Sequence, residues 1–162
     1  MKYTTEHKYL GAVLSDDAHD DSDIHRQVKS VYSHGNLLIQ KFRMCTQDVK
    51  TKLFKTFCSN MYGMQLWARF SPRSLDRVRV AYNNIFRAFM CIDRRASVSA
   101  AFIAKNIDHF NVLYRKSIYN CRTRLLKCEN ELVKNIILSP FFMYESHLNL
   151  HWCKTLFVNI SI

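Results

Sequence analysis

Five aspartates crowd into one short stretch, Asp16, Asp17, Asp20, Asp21 and Asp23. Carboxylates at that density are the first place to look for two-metal phosphoryl chemistry, which needs them fixed on rigid elements so that two cations sit roughly 4 Å apart. These lie instead in a polar run that leads into a helical pattern, where acids answer the unpaired amides and the positive end of the helix dipole. The stretch reads as a solvated loop with helix-start charges and no catalytic metal. His147 and His151 are one helical turn apart, and Cys121, Cys128 and Cys153 are conceivable companions at a zinc ion. The short Cys-x-x-Cys pair that makes such a signal strong is absent, and Cys121 and Cys128, seven apart, fit an apolar helix seam. Core packing is the favoured account, and whether Cys121, Cys128, His147 and His151 bind zinc is left open. No nucleophile elbow is present. Gly11, Gly35 and Gly63 stand alone, without a Gly-x-Gly or Walker pattern to cradle phosphate. The expectation is no catalytic residue, no cofactor and no small-molecule substrate.

Basic residues carry the remaining signal. The formal net charge is +11 and the isoelectric point near 9.6, which points to a polyanionic partner. Before Ile24 the acids Glu6, Asp16, Asp17, Asp20, Asp21 and Asp23 outnumber Lys2 and Lys8, so the rest of the chain is more basic still. Candidate phosphate-binding residues are Lys8 near the start, Arg26, Lys29 and Arg43 on a first helix, and Arg69, Arg73, Arg77, Arg79 and Arg87 around a third. Contacts of this kind would position a duplex by its backbone without reading sequence. The plain alternative is a solvated helix face. Tyr and Phe residues interleave with these bases, but their helical phase says core, and Trp67 and Trp152 read as packing anchors.

Six cysteines without an apolar segment in residues 1–23 point to a reduced intracellular setting, nucleus or cytoplasm. No apolar run approaches the roughly 20 residues that cross a bilayer, so no membrane association is expected.

The elements that must position these groups are mostly helices. Only three Gly and two Pro argue against a many-turned β architecture, so the chain is expected to be mainly α with one short amino-terminal strand, Tyr9 to Leu14. Ser22 or Asp23 is expected to cap a helix that buries Ile24, Val28, Val31, Tyr32, Leu38, Ile39 and Phe42, with Gly35 interrupting it at about 1 kcal/mol. Thr46 and Asp48 open a second helix with Val49, Leu53, Phe54, Phe57, Cys58 and Met61 on one face and Lys50 and Lys55 off it, running on towards Trp67. Ser71-Pro72 starts a third, as proline at the first helical position loses no needed donor. Ser97 caps a short helix, and Asp108 a long one in phase as far as Pro140. The stretch after Pro140 fits a docking helix or extended chain.

Taken in order, several stretches resemble one family: Lys8-Tyr9-Leu10-Gly11-Ala12-Val13-Leu14, Gly35-Asn36-Leu37-Leu38-Ile39-Gln40-Lys41-Phe42, Gln65-Leu66-Trp67, Ala81-Tyr82-Asn83-Asn84-Ile85-Phe86-Arg87, Arg115-Lys116-Ser117-Ile118-Tyr119 and Trp152. They are similar to the reverse transcriptases of non-LTR (LINE-type) retrotransposons where the chain leaves the catalytic palm and enters the thumb. The resemblance implies a palm-to-thumb junction over 1–20, a thumb-like helical bundle over 21–92 and a helical connector over 93–162. It implies a partner, the backbone of an RNA–DNA or DNA duplex, and a non-catalytic fragment, because the palm aspartates would precede Lys8. The alternative is a basic helical protein-interaction module. Oligomeric state is left open.

Overall fold

The computed structural model describes residues 5–157; Lys2 lies outside the described residues. Where one strand is expected, the chain makes two. β1 (Glu6–Tyr9) and β2 (Ala12–Ser15) pair antiparallel, with Glu6 opposite Ser15 and Tyr9 opposite Ala12. Leu10 and Gly11 both take positive φ, 45° and 86°, the backbone of a two-residue primed hairpin turn. The apolar run is therefore folded on itself, and β1 supplies the partner that β2 needs. A leucine at positive φ is unfavourable, which is why the sequence hid the turn.

Two compact units divide the chain, one comprising Met1–Tyr62 and Phe70–Leu113, the other Gly63–Arg69 and Tyr114–Ile162. The molecule is mainly α.

In the first unit, α1 (Asp21–Phe42) follows the hairpin. Neither expected cap does that job. Asp20 occupies the N-cap position without a side-chain capping bond, the Ser22 hydroxyl donates to Glu6, and Asp23 is buried. The Asp23 carboxylate accepts from the Val13 amide at 2.9 Å and from Arg26 Nε at 2.7 Å, tying the hairpin to α1. Ile24, Val31 and Leu38 are buried as the helical period requires, whereas Tyr32 faces solvent. Gly35 is buried between Val31 and Leu38 against α3 (Pro72–Met90). A Cβ there would stand 2.3 Å from Ile85 Cγ2, so the glycine permits close approach of two helices.

α2 (Gln47–Phe57) begins after Thr46 as expected, but ends well before Trp67. Gly63 at φ 84° precedes a separate 3₁₀ turn, Met64–Leu66. Lys50, expected on the polar side, is instead buried, because positions 50, 54, 58 and 61 share the inward stripe. Ser71 caps α3, its Oγ accepting from the Ser74 amide at 3.3 Å, with Pro72 at the first position. Val78, Ala81, Tyr82, Ile85, Phe86 and Phe89 point inward. Phe54, Tyr82, Phe86 and Phe102 form the aromatic centre of this unit, with Phe86 and Phe102 stacked 3.9 Å apart. Phe102 arrives on α4 (Val98–Ala104), capped by Ser97.

The second unit holds most of α5 (Phe110–Leu126), then α6 (Glu131–Leu138), a π-helical turn (Phe141–Glu145) and α7 (His147–Phe157). The expected continuous helix up to Pro140 is broken, because Asn130 accepts from the amides of Leu132 and Val133 and starts α6 afresh. From Phe141 to Phe157, as far as the described residues run, the stretch after Pro140 is mostly helical. Trp152 is buried and donates from Nε1 to the Gln65 carbonyl at 2.8 Å. The Tyr114 hydroxyl donates to the Trp67 carbonyl at 3.2 Å, and Ser117 donates to Gln65 Oε1 at 3.1 Å. Three bonds from distant helices thus hold the 63–69 segment in this unit.

Candidate nucleic-acid interface

Asp21 sets the geometry of a concavity that gathers three basic side chains. Its Oδ1 accepts from the Ser71 amide at 3.0 Å and the Ser71 hydroxyl at 3.3 Å, and Ser71 Oγ lies 2.9 Å from Ser74 Oγ. The start of α1 is thereby fastened to the start of α3. Burial opposes the charge on Asp21, but the Ser74 and Ser71 donors outweigh it and hold the carboxyl below its ordinary range. Beside this clamp, Glu6, Val13, Ser22, His25, Arg26, Lys29 and Arg77 line an open concavity.

The sequence candidates divide between places. Arg26, Lys29 and Arg77 come together here, and Arg73 sits one helical turn before Arg77 on α3. Arg26 is held by Asp23, with its side chain 26% exposed and its Nη2 buried without a hydrogen-bond partner. Lys29, Arg73 and Arg77 are exposed, and among the described residues none of the three forms an ion pair. The nearby acids are engaged within the fold: Glu6 by Ser22, Asp21 by Ser71, Asp23 by Val13 and Arg26. Three exposed cations outside any ion pair, on two fastened helices, can hold phosphate oxygens.

The others do not join them. Arg79 pairs with Asp76 at 2.9 Å and lines a different concavity with Asn83 and His109. Arg87 donates to the carbonyls of Asp93, Arg94 and Ala96, bracing the connection between α3 and α4. Arg43 follows the last turn of α1, Lys8 is on the exposed β1, and Arg69 belongs to the other unit. Sequence reasoning passed over His25 and the Asp21–Ser71 clamp; the only signal for the clamp was the serine-proline start of α3, which gives no hint of its partner.

The aspartate-rich stretch has structural duties. Besides Asp21 and Asp23, Asp17 accepts from the His19 amide at 2.8 Å, and that amide followed by the Ser15 hydroxyl lowers its carboxyl. Among the described residues no group of three His, Cys, Asp or Glu is placed to hold a metal ion. His151 Nε2 faces the Tyr114 hydroxyl at 2.9 Å and Thr155 Oγ1 at 3.2 Å. Among the described residues no helix is long and apolar enough to cross a membrane.

No family model matches the chain, and no curated protein and no solved structure matches it either.

Proposed function

We propose that this chain is a non-catalytic, thumb-like segment of an RNA-directed DNA polymerase of the non-LTR retrotransposon kind. It grips template-primer duplex by the phosphate backbone without reading sequence. The observation that carries the reading is the concavity lined by Lys29 and Arg77, with Arg73 one helical turn away on α3 and, among the described residues, none of the three in an ion pair. Further support comes from the stretches that carry the resemblance. Gly35 meets Ile85, and Gln65 meets both Ser117 and Trp152.

The test is titration of the chain against labelled RNA–DNA hybrid at several salt concentrations. Binding should be saturable and indifferent to sequence. Changing Lys29, Arg73 and Arg77 together to Ala should lower the slope of log affinity against log salt by about 2 to 3, since each lost phosphate contact removes roughly 0.7 to 0.9. Arg79→Ala should leave the slope unchanged. A folded chain that binds no duplex sinks the reading.

A second reading, a basic protein-interaction module, rests on the second unit. Leu132, Ile136, Leu138, Phe141 and Tyr144 are all exposed there, beside an apolar cavity under Leu125, Ile137, Phe142 and Trp152. Apolar surface of that kind marks a contact site.

A further inference from the structure

A buried ammonium needs a counter-charge, and the group that faces Lys50 is a thiol. Lys50, on α2, is only 4% exposed. Its Nζ lies 4.0 Å from Cys91 Sγ and 5.8 Å from the centre of the Phe89 ring. Among the described residues no carboxylate lies within ion-pairing distance of it. The ring face offers partial compensation, but a charge held out of water is costly without an anion. The polar atom that faces it is the Cys91 sulfur.

Cys91 is also accessible. Of the six cysteines, all among the described residues, it alone is exposed; Cys58 is buried and the other four are half-buried. It ends α3 in the left-handed conformation, φ 55°, and lines an open concavity with Asn84, Arg87, Ile92 and Arg94. The surroundings are thus cationic: the Lys50 ammonium lies 4.0 Å from the sulfur, and the exposed Arg94 lines the same concavity. A thiol that is exposed and set among positive charges is the arrangement that makes cysteine nucleophilic.

We propose that Cys91 is a thiol-modification site, its exposed sulfur set beside the buried Lys50 ammonium and taking small disulfides that carry carboxylates. The Cys91 thiolate attacks one sulfur of the disulfide; a new sulfur–sulfur bond forms and the old one breaks. The second sulfur leaves as a thiolate and takes up the proton that Cys91 gave to solvent. Cys91 is oxidised to the mixed disulfide, and half of the reagent is reduced to free thiol. Arg94, which lines the concavity, favours a reagent that carries carboxylates. The mixed disulfide would crowd the buried Lys50 side chain, so modification should loosen the contact between α2 and the end of α3. None of this depends on nucleic-acid binding.

The experiment exposes the full chain to the dianionic disulfide of thionitrobenzoate and, separately, to a neutral dipyridyl disulfide, with modified sites read by peptide mass spectrometry. With the dianionic reagent Cys91 should react at least about tenfold faster than Cys45, Cys121, Cys128 or Cys153. Lys50→Gln should slow Cys91 with both reagents. Arg94→Gln, an exposed change that leaves the core intact, should slow only the dianionic one. Equal rates at Cys91 and the half-buried cysteines would overturn the proposal. So would a folded Lys50→Gln chain that reacts at the original rate, or an Arg94→Gln chain that keeps the original preference between reagents. If Lys50→Gln does not fold, the comparison among cysteines and the Arg94→Gln result decide the matter.

Discussion

Tyr82 serves two kinds of contact at one position. Its ring sits between Phe54 and Phe102, at centroid distances of 5.1 and 5.6 Å. Its hydroxyl lies 3.0 Å from Ser59 Oγ and donates to the Asp108 carbonyl at 2.9 Å. Burial, the largest influence, pushes the phenol well above its ordinary pKa, so it remains a donor throughout the neutral range. Tyr82→Phe keeps the packing and loses the donation to the Asp108 carbonyl, and should cost about 1 kcal/mol in chemical denaturation; an unchanged midpoint would show that the hydroxyl contributes nothing to stability. Cys58 lies in the same unit at 1% exposure, with its thiol pushed up to about 12 by burial. It should stay unmodified by alkylating reagents in the native chain at neutral pH and react once the chain is unfolded. Labelling of native Cys58 at the rate of the half-buried cysteines would contradict its burial.

Between elements, the closest approach is that of α1 to α3 at Gly35. Alanine would gain about 1 kcal/mol of helix propensity. Its Cβ, however, would stand 2.3 and 2.6 Å from Ile85 Cγ2 and Cδ1. Ile85 is buried and branched at Cβ, so it cannot turn away freely. Overpacking of this kind costs about 1–3 kcal/mol, and Gly35→Ala should therefore be destabilising on balance. Ile85→Ala should remove the clash, making the double change markedly less damaging than the sum of the singles. Additivity in that cycle would mean that the helices shift apart instead. The other junction is pH-dependent. Asp21 has its carboxyl held below the ordinary value of 3.8. A depressed carboxylate contributes stability that is fully present above its unfolded pKa and is lost as pH falls through the folded one. Wild type should therefore be more stable than Asp21→Asn at pH 7, and the gap should narrow as the pH drops below about 4. Urea midpoints at several pH values would measure it, and a gap that widens in acid would reverse the assignment.

Across the whole molecule, the net charge of +11 is unevenly matched. Acids cluster at the hairpin and the start of α1, so the cations dominate the field over the rest of the chain. The second unit depends on a different device, a short segment recruited from far along the chain. Trp152→Phe would keep most of the apolar volume but lose the donation to the Gln65 carbonyl. It should release the 63–69 segment, seen as faster amide exchange there than around α3. Unchanged exchange over 63–69 would show that Tyr114 and Ser117 suffice to hold it.

By itself the sequence determined the mainly α class, the starts of α2, α3 and α4, and the inward stripe of α3. These are local matters: a capping serine, a proline at the first position, a repeat of 3.6 residues. It was legible, too, that Gly35 sits within a helix, but not why, because its reason is Ile85, fifty residues later. The hairpin was hidden by Leu10 in a conformation that leucine rarely takes, and the breaks after Phe57 and Leu126 by apolar residues that stayed in phase across them. The candidate site was legible as a set of basic residues and no further. Only the tertiary structure decided that Lys29, Arg73 and Arg77 remain unpaired near one concavity, that Arg87 is occupied by three carbonyls, and that Lys50 turns inward onto Cys91. Charge, burial and pairing of a side chain depend on what packs against it from elsewhere in the chain, and a pattern read along one strand of sequence carries no record of that neighbour.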